Sequence, residues 1–112
     1  MANRTSREQS THHRKVREIA RHLRMEGYTV RADGVRGYAR PRPIGRQMKR
    51  PDIEATRLGV RRIIEVETPS SLRSDKEQLK TFTRHAAQKR GTKFEVVVTK
   101  PRRTQISSRK RR

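Results

Sequence analysis

Two short segments decide the fold of this chain: Arg-Pro-Asp-Ile-Glu-Ala at residues 50–55 and Ile-Ile-Glu-Val-Glu at residues 63–67. In both segments carboxylates recur two positions apart, the spacing that places side chains on one face of a β-strand. The few residues between them form a turn, so the two segments are predicted to pair as a hairpin. That pairing would bring together the carboxylates of Asp52, Glu65 and Glu67.

Carboxylates crowded in this way repel one another unless a cation neutralises them. Carboxylate oxygens are hard ligands that suit Mg²⁺ or Mn²⁺. A metal-binding acidic cluster in a chain with a formal net charge of +20 indicates phosphodiester chemistry on nucleic acid. The alternative is a solvated strand face whose carboxylates form surface ion pairs with the surrounding arginines.

The composition limits both the size of the core and the class of partner. With 112 residues, of which 29% are hydrophobic and 38% are charged, the chain is predicted to form one domain with a small core. No apolar run is long enough to span a membrane, so the basic excess favours nucleic acid as the partner. We therefore expect a cytoplasmic, nucleoid-associated protein without a membrane partner.

Metal and redox chemistry based on cysteine is excluded, because the chain contains no cysteine. The histidines show no metal-site spacing. They are predicted to be solvated or to face phosphates: His12, His13, His22 and His85.

The pattern of residues in the N-terminal third of the sequence predicts a flexible arm, a helix and a strand. Residues 1–9 are polar and form the predicted arm, and the helix extends from Ser10 to about Met25. Residues 28–32 then have the β-prone composition of a short strand. The helix is identified by apolar residues that recur with helical spacing at Val16, Ile19, Ala20 and Leu23.

Two basic segments are predicted to contact phosphates. Residues 33–50 are rich in glycine and proline and therefore form a long loop. The cations of this loop are Arg36, Arg40, Arg42, Arg46, Lys49 and Arg50. Residues 101–112 form a basic tail that is predicted to be disordered and to neutralise further phosphates. Its cations are Arg102, Arg103, Arg109, Lys110, Arg111 and Arg112.

A second helix and a last strand complete the single predicted domain, residues 10–100. The helix extends from about Asp75 to Arg90, with Ser74 as its N-cap and Glu77 as the capping-box partner. Its buried stripe consists of Leu79, Phe82 and Ala86. Residues 94–98 are a nearly continuous β-prone run, which is typical of a central buried strand.

The order helix, strand, loop, strand, strand, helix, strand resembles that of the PD-(D/E)XK, or restriction-endonuclease-like, nucleases. Pro51-Asp52 matches the first half of the family motif, and Glu65 matches the acid of the second half. The resemblance implies an α/β fold, with an α-β-β-β-α-β core in which two helices flank a mixed sheet. It also implies that Asp52, Glu65 and the carbonyl oxygen of Val66 bind the metal ion.

Two further positions bear on the resemblance. Glu67 stands where the family usually has lysine, and it could bind a second metal ion or act as a general base toward water. Gln78, followed by Phe82, is similar to a Gln-x-x-x-Tyr helix motif of some members. Gln78 is therefore a candidate catalytic residue, with ordinary solvation on the helix as its alternative.

The sequence thus predicts a Mg²⁺- or Mn²⁺-dependent endonuclease that acts on duplex or branched DNA. Asp52, Glu65, Glu67 and Gln78 are its predicted catalytic residues. The element order and basic character are also similar to those of archaeal Holliday-junction resolvases, which implies a homodimer. Two alternatives stay open: a catalytically inactive DNA-binding or architectural protein with the nuclease fold, and a basic RNA-binding protein.

Overall fold

A four-stranded mixed sheet forms the centre of the molecule, whose computed structural model describes residues 6–99. The strands lie in the order β1-β2-β3-β4; β1, β2 and β3 pair antiparallel, and β4 is parallel to β3. The prediction of an α/β protein with a mixed sheet is confirmed. Along the chain the elements are α1 Ser6–Met25, β1 Thr29–Ala32, β2 Ile53–Arg57, β3 Val60–Glu67, α2 Pro69–Ser74, α3 Lys76–Gln88 and β4 Thr92–Val98.

The sheet separates two small hydrophobic clusters because successive strand residues point to opposite faces. Ile64 belongs to the cluster beneath α1, which also contains Val16 and Leu23 of that helix. Its neighbour Ile63 belongs to the cluster on the other face, with Phe82 of α3. Helices α1 and α3 therefore pack on opposite faces of the sheet.

Helix α1 begins at Ser6, four residues before the predicted start at Ser10. Residues 6–9 of the predicted flexible arm are therefore helical, whereas residues 1–5 lie outside the described part of the chain. The first turn is held by Glu8, whose carboxylate oxygens accept hydrogen bonds from the Ser70 hydroxyl at 3.1 and 3.2 Å. This contact spans 62 positions of sequence, so local spacing could not reveal it.

The short helix α2 was not predicted from the sequence. Thr68 is its N-cap: the side chain of Thr68 accepts a hydrogen bond from the backbone N–H of Ser71, and the Ser71 hydroxyl accepts one from the Thr68 N–H. The capping box thus lies at the start of α2, and the predicted box of Ser74 with Glu77 is wrong. The N-cap position of α3 is held by Asp75, without a side-chain hydrogen bond.

The last strand lies at an edge of the sheet, so the prediction of a central buried strand is wrong. Among residues 6–99, β4 pairs with β3 alone. The side chains of Val96 and Val98 are 39% and 43% exposed. An apolar β-prone run predicts that a segment forms a strand. It does not predict whether that strand has a neighbour on one side or on both, because this depends on which strands pair in the folded protein.

Residues 33–50 connect β1 to β2 and pack against the sheet. Ile44 is buried and forms a two-residue bridge with Lys49 through backbone hydrogen bonds of 2.7 and 2.9 Å. The loop is also attached to the sheet through Arg42, whose guanidinium donates to the buried Glu54 carboxylate at 2.6 Å. Arg61 of β3 donates to the same carboxylate at 2.8 Å. Burial raises the pKa of Glu54, but the hydrogen bonds from both arginines outweigh burial and hold that pKa below its ordinary value.

We expect Glu54→Gln to lower the free energy of unfolding by about 2 kcal/mol, because a neutral buried amide replaces a carboxylate that accepts charge-assisted hydrogen bonds from Arg42 and Arg61. The matched control is Glu95→Gln, since Glu95 also pairs with an arginine, at 2.7 Å, but its side chain is 36% exposed. The control should lose no more than about 1 kcal/mol. Urea denaturation of both variants measures the difference, and equal losses would contradict a special role for Glu54.

Candidate active site

Asp52 and Glu65 lie side by side at the end of the β2–β3 hairpin. Ile53 pairs with Ile64, so Asp52, directly before β2, lies opposite Glu65. The backbone N–H of Asp52 donates to Glu65 Oε1 at 2.8 Å. In return, the backbone N–H of Val66 donates to Asp52 Oδ2 at 2.8 Å. The hairpin register therefore fixes the two predicted catalytic carboxylates beside each other.

The Glu65 carboxylate is buried, and its second oxygen also accepts a hydrogen bond. Gln78 of α3 donates from Nε2 to Glu65 Oε2 at 2.7 Å, which brings this predicted site residue into contact with the carboxylate pair. Burial, together with the negative charge of Asp52, raises the pKa of Glu65 to about 10. A site with such a perturbed carboxylate is a candidate for chemistry rather than for ordinary surface pairing.

Glu67 lies two residues further along β3 and is buried. Its Oε1 accepts a hydrogen bond of 2.6 Å from the Ser71 hydroxyl in α2. Its Oε2 is buried and has no hydrogen-bond partner within residues 6–99. Burial, and then the charge of Asp75, raise the pKa of Glu67 above its ordinary value. This carboxylate is thus positioned by α2, an element that the sequence analysis did not predict.

His12 of α1 also belongs to the site, and the prediction that it is solvated or faces phosphate is wrong. Its Nε2 lies 3.2 Å from Asp52 Oδ2, and its side chain is only 12% exposed. The sequence does carry a signal for this position. His12 lies four residues before Val16 and so extends the buried stripe of α1 by one turn.

Within residues 6–99, no group of three or more histidine, aspartate or glutamate side chains is arranged to hold a metal ion. The donor chemistry nevertheless fits a hard cation. A divalent ion would offset the repulsion between Asp52 and Glu65, and a second cation would give the unpaired buried oxygen of Glu67 a partner. Val66 contributes its N–H to the site, and the predicted role of its carbonyl oxygen stays a prediction.

Two of the six predicted loop cations form ion pairs within the fold. Arg42 binds the buried carboxylate of Glu54, as described above. Arg40 donates from Nε to Asp33 Oδ1 at 3.1 Å, and both side chains are exposed. Arg42 thus pairs with a structural partner that it shares with Arg61, a contact that no local feature of the sequence indicated.

The other loop cations differ in exposure. Arg50 is half-buried and donates to the carbonyl oxygen of Pro41 at 2.6 Å. Lys49 is also half-buried, whereas Arg36 and Arg46 are exposed and accessible to a ligand. The predicted phosphate-binding residues of the tail lie outside the described residues: Arg102, Arg103, Arg109, Lys110, Arg111 and Arg112.

Comparison with models of known protein families gave no match, and neither did comparison with curated proteins. Across residues 6–99, none of the helices combines the length and apolar character that crossing a membrane requires. The functional assignment therefore depends on the geometry of the carboxylate site and on the charge of the chain.

We expect Glu65→Gln to stabilise the metal-free protein increasingly as the pH rises. The folded-state pKa of Glu65 is about 10, above the ordinary value of 4.5, so ionisation of this carboxyl opposes folding. The protonated Glu65 carboxyl makes its full contribution to stability below the ordinary pKa of 4.5, and this contribution is lost as the pH rises toward the folded-state pKa of about 10. Because glutamine does not ionise, the difference in free energy of unfolding should grow by up to about 1.4 kcal/mol per pH unit above roughly pH 5.

Urea denaturation in EDTA at several pH values measures this slope. The control is Glu77→Gln, since Glu77 is a glutamate of α3 whose side chain is 87% exposed. The control should follow the wild-type pH dependence. A Glu65→Gln curve parallel to wild type would mean that Glu65 is ionised in the folded protein throughout this range.

Proposed function

We propose that the protein is a Mg²⁺- or Mn²⁺-dependent endonuclease of the PD-(D/E)XK type that hydrolyses phosphodiester bonds in duplex or branched DNA. The observation that carries the proposal is the cross-strand pair of Asp52 and Glu65, joined by hydrogen bonds of 2.8 Å in each direction. Its position agrees with the motif resemblance, and the element order agrees with the family core once the short helix α2 is set aside. The net charge of +20 supports a polyanionic substrate.

The metal ion would be held by Asp52, Glu65 and the carbonyl oxygen of Val66. When bound, such an ion polarises the scissile phosphate and lowers the pKa of a nearby water molecule. The neighbouring residues keep these ligands in place. Gln78 restrains Glu65, and the Val66 N–H together with His12 restrains one oxygen of Asp52. The other oxygen, Oδ1 of Asp52, accepts no hydrogen bond within residues 6–99 and is available to a ligand.

Glu67 occupies the position where the family usually has lysine, so the positive charge of that lysine is missing. A buried glutamate whose pKa is raised above its ordinary value is a stronger base than a free carboxylate, so in its ionised form Glu67 can accept a proton from the attacking water. Ser71 binds only Oε1, and Oε2 is left for this proton or for a second cation. We assign Glu67 to one of these two roles.

A catalytically inactive DNA-binding protein is the second candidate function. The absence of a three-ligand group within residues 6–99 favours it, as does the missing lysine at position 67. A basic RNA-binding protein is the third. Metal-dependent cleavage of plasmid DNA separates the nuclease from both, and relative affinity for duplex DNA and structured RNA at one salt concentration separates the other two. A homodimer and a nucleoid location belong to the nuclease proposal.

We expect Asp52→Asn and Glu65→Gln each to reduce plasmid cleavage to background while duplex binding is retained or strengthened. Either change eliminates a metal ligand, and Asp52→Asn also removes a negative charge that repels the phosphate backbone. In addition, Mn²⁺ should raise the melting temperature of the wild type through ligand linkage, and Asp52→Asn should abolish that rise. Glu77→Gln is the control for both measurements. Wild-type cleavage by either site variant would exclude the assigned metal site.

We expect His12→Ala to reduce the single-turnover cleavage rate roughly 10-fold or more, the range found for groups that orient metal ligands. His12→Gln should retain much of the rate, because glutamine can place an N–H donor near Asp52. Mn²⁺ affinity, measured by titration calorimetry, should follow the same order, and DNA affinity should change little. If the alanine and glutamine variants lose the same fraction of the cleavage rate while their Mn²⁺ affinity is unchanged, His12 does not act through Asp52.

A further inference from the structure

The outer face of α1 carries a row of arginines, which we call the outer ridge: Arg14, Arg17, Arg21 and Arg24. Their spacing of three and four residues places them on one side of the helix. All four side chains are exposed, whereas Val16 and Leu23 on the inner side are buried. With a rise of about 1.5 Å per residue, the ridge is about 15 Å long.

The outer ridge has no anionic partner. Within residues 6–99, none of its four arginines forms an ion pair with an aspartate or glutamate, and residues 1–5 and 100–112 contain neither residue type. The acids nearest to the ridge in sequence are engaged elsewhere: Glu18 pairs with Lys15 at 3.2 Å, and Glu26 pairs with His22 at 2.9 Å. The ridge is therefore a concentrated positive charge that no acidic side chain within residues 6–99 neutralises.

The two ends of the helix connect the ridge to the regions already described. At one end, His12 contacts Asp52 of the candidate active site. At the other end, the Arg24 guanidinium lies 3.9 Å from the centre of the Tyr38 ring and donates to the Gly37 carbonyl at 3.2 Å. Tyr38 belongs to the basic loop, next to the exposed Arg36. Arg24, the last residue of the ridge, is thus in direct contact with the basic loop.

We propose that the outer ridge binds the phosphate backbone of duplex DNA next to the cleavage site. This inference rests on the proposed function and extends the DNA contact from the loop to α1. One strand of duplex DNA carries a phosphate about every 3.4 Å of axis, so a ridge of about 15 Å is long enough to contact more than one phosphate of a strand. Arginine is suited to this contact because its guanidinium can donate two parallel hydrogen bonds to a phosphate.

Other polyanionic partners fit the outer ridge less well. An amphipathic helix binds a membrane through an exposed apolar face, but the apolar face of α1 is buried against the sheet. Single-stranded nucleic acid is held by exposed aromatic side chains, and the ridge has none. Tyr38, beside its last arginine, is half-buried and already covered by Arg24.

The test compares two variants that each replace three cations by glutamine. The ridge variant is Arg14→Gln, Arg17→Gln, Arg21→Gln, and its control is Lys89→Gln, Arg90→Gln, Lys93→Gln. The control cations are also exposed, but they lie where α3 ends and β4 begins, away from the carboxylate site. Affinity for a duplex of about three helical turns is measured by fluorescence anisotropy in EDTA over a range of salt concentrations. Circular dichroism and melting curves verify that both variants fold.

Each phosphate contact contributes about 0.9 to the slope of log affinity against log salt, so the ridge variant should lower that slope by two to three units. Its duplex affinity should fall at least ~10-fold at moderate salt, and the control should stay within about 0.5 of the wild-type slope. A third variant with lysine at the three ridge positions retains the charge and should keep most of the slope. Single Arg17→Gln and Arg21→Gln variants, each expected to lower the slope by about 0.9, test the ridge if the triple glutamine variant does not fold.

The possible failures are distinguishable. If the wild type does not bind duplex DNA, the proposed function fails and the ridge assignment fails with it. If the wild type binds and cleaves DNA but the ridge and control variants lose equal affinity, the ridge assignment alone is overturned. A ridge-dependent preference for structured RNA over duplex DNA at the same salt would overturn the choice of partner.

Discussion

The antiparallel register of β2 against β3 is the constraint on which the candidate site depends. Pairing of Ile53 with Ile64 places Asp52 opposite Glu65 and aligns each carboxylate with a backbone N–H of the other strand. A slip of one residue would turn every β3 side chain to the other face of the sheet. The carboxylates of Glu65 and Glu67 would then lie under α1, where the core requires apolar side chains.

The same constraint makes the site costly for the folded protein. Two carboxylates are kept adjacent and one of them is buried, so the pKa of Glu65 is raised and the site resists ionisation. Three helices contact the carboxylates of the site. His12 of α1 contacts Asp52, Gln78 of α3 contacts Glu65, and Ser71 of α2 contacts Glu67. Unfavourable charge collected at one place is typical of functional sites.

Features that depend on residues close together in the sequence could be predicted, and features that depend on distant residues could not. The carboxylate pair, the strands of the sheet and helices α1 and α3 depend on spacings of two to four residues, and they were predicted with errors of up to four residues at the ends, whereas the short helix α2 was not predicted. The burial of His12 beside Asp52, the pairing of Arg42 with Glu54 and the edge position of β4 depend on contacts between distant parts of the chain. Neither the periodicity nor the composition of the sequence predicts such contacts, because they form between residues that only the folded structure brings together.

The use of main-chain donors has a consequence for how such a site can change over evolutionary time. Asp52 and Glu65 are each positioned by an N–H group of the opposite strand, and an amide N–H is present at every residue except proline. Side chains that only pack around the pair can therefore be exchanged for others of similar size while this main-chain geometry is inherited. Besides the two acids and the polar side chains that touch them, few positions need to keep their identity, so the surrounding sequence can change widely while the hairpin is kept.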